Sequence, residues 1–100
     1  MDEIEILKNL LTKSDIPYYK NSILDGEQVI VLLPNGERID AVWHSFSYGN
    51  EIGLLEIMGG LTEEESEGDS VLGWLTGSEV AKRFIYCYSH NTIYYREEED

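Results

Sequence analysis

Apolar residues recur at three- and four-residue intervals through Ile4, Ile6, Leu7, Leu10 and Leu11, which draws one stripe along an amphipathic helix over residues 2–13. Asp2, Glu3 and Glu5 fall in its first turn and Lys13 in its last, the order the helix dipole favours. Pro17 closes it, because proline disfavours helical geometry in the residue before it. Residues 18–24 predict a first strand, with Asp25-Gly26 as a tight hairpin turn. Residues 29–33 are apolar on both faces, which predicts a central strand covered on both sides or lying beneath a helix.

Pro34-Asn35-Gly36 then reverses the chain. Over residues 37–44, Ile39, Ala41 and Trp43 share a core face while Arg38, Asp40, Val42 and His44 share the other. A polar break at residues 47–50 precedes a third run, residues 51–58, in which Glu56 falls on the face of Ile52 and Leu54. Glu56 is therefore expected at the sheet margin or against a polar partner. Glu63, Glu64, Glu65, Glu67 and Asp69 follow as the densest charge block, read as an acidic loop over residues 63–69 or a short frayed helix. Apolar character returns at residues 71–75.

Thr76 and Glu79 have the spacing of a capping box, and a second helix is expected from about Gly77 to Ser89, closed by Asn91. Val80, Phe84, Cys87 and Tyr88 lie on its core face. Residues 92–96 have strand propensity and are read as an addition to a sheet edge; residues 97–100 are expected to be a mobile acidic tail. These elements predict one α+β domain over residues 1–100, a two-layer sandwich. An antiparallel meander of three or four strands carries the N-terminal and C-terminal helices on one face. The opposite face, with tyrosines and mixed polar residues, is a candidate interaction surface.

Composition sharpens the picture at one point. Twenty acidic residues against seven basic ones give a formal charge of −13. That charge excludes direct binding to nucleic acid or to an anionic membrane, which need clustered cations, and predicts a basic protein partner. The single cysteine excludes an internal disulfide and, with no basic leader or long apolar run at the start, points to the cytoplasm.

Candidate chemistry is thin. Cys87 and His90 stand three apart and with His44 could be placed around zinc, but paired Cys and His spacings are missing. A nucleophile arrangement of Cys87, His44 and Asp40 fails on distance, since Asp40 and His44 lie about 13 Å apart along a strand. Met58-Gly59-Gly60 lacks the rest of a phosphate loop. Glu56, flanked by Leu54, Leu55, Ile57 and Met58, is the one acid placed where burial would raise its pKa. No catalytic residue, metal or cofactor is implied, and the chain is read as a non-enzyme.

At Ser47-Tyr48-Gly49, residues 53–59, residues 71–76, Glu79-Val80 and Arg83, the chain resembles small acidic proteins encoded by bacteria and their phages or prophages. The resemblance implies an inhibitor of host defence of the anti-CRISPR kind, similar to DNA in surface charge. The expected function is a binding protein that occupies a basic, nucleic-acid-handling site on its partner through Glu63, Glu64, Glu65, Glu67, Asp69, Tyr48 and Glu56. Two alternatives are a small-ligand or nucleotide binder with its pocket between the sheet and the Trp74 segment, and an assembly protein that pairs through a sheet edge.

Overall fold

The structure, a computed structural model, describes residues 2–97. Helix α1 (Glu3–Lys13) begins at Asp2, whose carboxylate accepts the Glu5 N–H, and ends at Ser14, with Asp15 in the left-handed region. Five antiparallel strands follow in meander order: β1 (Tyr19–Ile23), β2 (Gly26–Leu32), β3 (Arg38–Trp43), β4 (Leu55–Met58) and β5 (Val71–Leu75). A short helix α2 (Glu63–Gly68) links β4 to β5, and α3 (Gly77–His90) closes the fold.

Both long helices cover one face of the sheet. Val29, Val31, Ile39, Ala41, Leu55 and Ile57 meet Leu7, Leu11, Val80, Phe84 and Cys87 in a single core. Two capping boxes start the later helices, Thr62 with Glu65 on α2 and Thr76 with Glu79 on α3. Asn91 ends α3 in the left-handed conformation, and its side chain accepts the Asn35 N–H from the β2–β3 turn at 2.8 Å.

Helices α1 and α3 approach closely because Gly77 has no side chain. A methyl there would lie 2.2 Å from the Glu3 carbonyl oxygen and 3.0 Å from the Leu7 nitrogen, both backbone atoms. Glu3 also caps α3, its Oε1 accepting the Gly77 N–H at 2.7 Å. Gly77→Ala is therefore expected to lower stability by about 1–3 kcal/mol through forced separation of the helices. Helix propensity alone predicts a gain of about 1 kcal/mol. The sign of the shift in a urea midpoint decides between them.

The sheet departs from expectation in four places. It has five strands, because both residues 19–23 and the apolar stretch at 71–75 pair with it. The run at 51–58 is strand only from Leu55; Asn50–Ile52 is a 3-10 turn, with Gly49 and Gly53 in the left-handed region breaking the extension. That break removes Ile52 from the strand, so the expected alternation with Ile52 fails, and Glu56 pairs with Val42 on the uncovered face. The first hairpin turns at Leu24-Asp25, one residue early, with Leu24 carrying the positive φ. Residues 92–96 add no edge strand. They contribute an isolated parallel bridge between Tyr94 and Leu61. Of the two readings of the charge block at 63–69, loop or short helix, the helix forms, over Glu63–Gly68, and of the acidic tail only Glu97 lies within the described residues.

Candidate interaction surface

Tyr19, Ile30, Asp40, Met58 and Val71 are register partners in turn across all five strands, and the row lies on the face turned away from the helices. The two-sided apolar character of β2 predicted either cover on both sides or a place beneath a helix, and the helices cover one side. Tyr19 is 59% exposed, Met58 53% and, beside the row, Leu32 45%. At the centre Asp40 accepts the Gln28 Nε2 at 3.1 Å and meets Arg38 Nη2 at 3.5 Å. Partial burial pushes its carboxyl above the usual aspartate value, against the pull of Gln28 and Arg38.

The β3–β4 connection walls one end of this face. Tyr48 N–H donates to Glu56 Oε1 at 3.0 Å, and the Tyr48 carbonyl accepts the Trp74 N–H at 3.3 Å. Tyr48 can sit there because Gly73 has no side chain: a methyl on Gly73 would lie 2.3 Å from the Tyr48 Cβ. The Trp74 segment is itself strand β5 of the sheet, with Tyr48 packed against its Gly73. Beside it the β4–β5 ladder slips by one residue, and Trp74 takes up the irregularity at φ 64 with 55% of its surface exposed.

Carboxylates gather in two other regions. On α2, Glu65 is drawn inward and receives Arg83 Nη1 at 2.7 Å and Nη2 at 3.2 Å, while Glu63, Glu64, Glu67 and Asp69 are exposed. The Arg83 guanidinium holds the Glu65 carboxyl below the usual glutamate value, outweighing its partial burial. An open groove of about 920 Å³ runs between α2 and the C-terminal segment, lined among others by Tyr86, Tyr94 and Tyr95. At the start of α1, Asp2, Glu3, Glu5, Asp25 and Glu27 surround a cavity of about 370 Å³ floored by Ile4, Trp43 and Leu55. Lys8 closes one side of this cluster, 2.6 Å from Glu5 and 3.0 Å from Glu27. Desolvation pulls the Lys8 pKa down, but the two carboxylates together hold it above the ordinary lysine value.

Comparison with protein-family models, with curated proteins and with solved structures finds no match to this chain. Function has to be read from the geometry.

Of the residues expected to bind a partner, the fold brings Tyr48 and Glu56 together on the uncovered face. Glu63, Glu64, Glu65, Glu67 and Asp69 stand apart from them, because Arg83 ties α2 to the helical layer. Glu65 is a structural residue. Sequence reasoning missed Met58, Tyr19 and Trp74 as surface residues. The signal for the first two was β2, which offered two apolar faces when two helices could cover only one.

The candidate chemistry of Cys87 and the histidines dissolves. Cys87 is buried in the core, and desolvation pushes its thiol up to about 11. A thiol in that state supplies neither a nucleophile nor a metal ligand at neutral pH. His44 Nδ1 accepts the Phe46 N–H, and His90 stacks on Tyr86 at 3.9 Å. Among the described residues no three His, Cys, Asp or Glu side chains are grouped to hold a metal ion, and no helix is long and apolar enough to cross a membrane.

Proposed function

We propose that this chain is a non-enzymatic binding protein whose acidic surface occupies a basic site on a protein partner. The observation that carries the reading is how the fold spends its few cations. Three of the seven, Lys8, Arg38 and Arg83, are paired with carboxylates of the chain itself, and the exposed Lys13, Lys20, Lys82 and Arg96 are outnumbered by exposed carboxylates, among them Glu63, Glu64, Glu67 and Asp69 on α2 and Asp2 and Asp25 near the start of α1. Such a surface draws a cationic partner by long-range attraction and competes with phosphates for the same groove. A nucleic-acid-handling enzyme, whose groove is built to receive phosphates, fits this reading as the partner.

The test uses immobilised protein, a nuclease-treated bacterial lysate and a salt gradient, with each captured protein then purified and titrated. Affinity should fall steeply between about 0.05 and 0.5 M salt, where screening shortens from about 14 to about 4 Å. Replacing Glu63, Glu64 and Glu67 by Gln and Asp69 by Asn together should weaken binding about tenfold or more, while relieving self-repulsion and leaving the melting temperature level or higher. Glu65 is kept, since it anchors α2. Binding that ignores both salt and this variant would remove the proposal.

A further inference from the structure

We infer that the uncovered sheet face, walled by Tyr48 and Trp74, is the seat for an amphipathic, lysine- or arginine-bearing helical segment of the partner. This inference rests on the acidic-binding reading and adds where contact is made and what shape it takes.

Three observations converge. The row from Tyr19 to Val71 runs unbroken across five strands and leaves Tyr19, Met58 and the neighbouring Leu32 open to water, although two helices of the same chain lie across the other face. Trp74 is held at φ 64, a conformation that bulky residues rarely adopt, and its side chain is left half exposed. Tryptophan is among the residues in which binding energy concentrates at interfaces. Glu56 and Asp40 set carboxylates on this same face, and Glu56 is already oriented by the Tyr48 N–H.

Size and charge choose the occupant. Five strands spaced by about 4.8 Å span roughly 20 Å, room for one helix of about 10 Å diameter and its side chains. The projected area of a few hundred Å² is well under the roughly 800 Å² per partner of a stable interface. A second copy of this chain would have to make up the difference against a charge of −13 on each side, with Asp40 at the centre of the row facing its own counterpart. On this face a cationic helix meets two carboxylates, Asp40 and Glu56, against one cation, Arg38, which Asp40 already holds. Its apolar side rests on Ile30, Met58 and Val71, and its cations reach Asp40 and Glu56.

A synthetic helix of leucine and lysine, about 14 residues or four turns long, serves as the probe. An isomer of the same composition, with its residues shuffled to abolish the apolar side, is the control. Titrated into the full chain labelled with nitrogen-15, the amphipathic peptide should shift the amides of Tyr19, Ile30, Asp40, Met58, Val71 and Tyr48, and the isomer should bind more weakly. Met58→Gln with Trp74→Asn, where asparagine tolerates the left-handed backbone, should weaken binding about tenfold at an unchanged melting temperature. Shifts centred on α2 or the start of α1, equal binding of the two peptides, or no effect of the double variant would each overturn the inference. So would face shifts that appear with protein concentration alone, which would assign the face to a second copy. Against the captured partner, loss of binding on neutralising α2 but not in the double variant removes this inference and leaves the acidic-binding reading standing. Insensitivity to both removes the two together.

Discussion

Phe84→Ala is expected to cost about 3–5 kcal/mol, a large share of the roughly 5–15 kcal/mol that holds a domain of this size. Phe84 heads the largest fully buried side chains and sits on α3 where helix and sheet layers meet. Its ring also fills the space left by Gly60, where an added methyl would lie 3.2 Å from the Phe84 Cε1. Gly60 is itself in the left-handed region and its N–H bonds the Ile93 carbonyl, so the strand end cannot easily move in to fill the cavity. Lost transfer energy and an unfilled void therefore add. Urea unfolding should show the midpoint falling with an unchanged slope, and a loss under about 1 kcal/mol would mean the site collapses freely.

Arg83→Met should cost about 2–4 kcal/mol and, unlike the core change, unfasten one part of the molecule. The Arg83 guanidinium bonds both oxygens of Glu65, donates to the Gly60 carbonyl at 3.0 Å and lies 4.8 Å from the centre of the Tyr95 ring. Helix α2 buries none of its own residues, so the capping box and this contact are what hold its six residues in place. Methionine keeps the apolar stem and removes the charge, which leaves Glu65 and the Gly60 carbonyl short of a donor. Amide exchange should accelerate across α2 and at Tyr95, whose N–H bonds the Leu61 carbonyl, while α1 and β2 keep their relative protection.

The same pair fixes the sign of a pH effect. Because Arg83 lowers the Glu65 pKa in the folded state, its contribution is present in full above the ordinary glutamate value near 4.5 and is lost as pH falls through the lower folded value. The stability gap between the natural chain and Arg83→Met should thus be flat near neutrality and shrink in acid. Glu65 is partly exposed, so the pH-dependent share is a modest part of the total. A gap constant down to strong acid would show that the ion pair contributes little beyond packing.

How much was legible depended on the range of the forces involved. The stripe of Ile4, Leu7 and Leu11, the acids Glu3 and Glu5 of the first turn, the Thr76–Glu79 box and Asn91 all act within one helical turn, and the helices stand where those residues put them. The alternation of Ile39, Ala41 and Trp43 likewise chose the core face of β3. Residues 71–75 gave no such signal. Glycine and a left-handed Trp74 interrupt their alternation, and they become a strand only because the exposed edge of β4 offers hydrogen bonds. The polar partner expected for Glu56 is the Tyr48 N–H, which the sequence could not name because the loop that brings it there is non-local.

What local chemistry determined is the class of the molecule: an α+β sandwich with helices at both ends of a meander, a heavy negative charge, and caps that mark each helix. What tertiary packing decided is which surface is left over. Two helices can cover one side of a sheet, so the second apolar face of β2 is exposed by geometry and not by its composition. Arg83, 23 residues from Gly60 and 18 from Glu65 in sequence yet in contact with both, withdraws one carboxylate from the acidic block and leaves the rest facing outward. Periodicity reports which residues avoid water; only the meeting of distant segments settles which of them succeed.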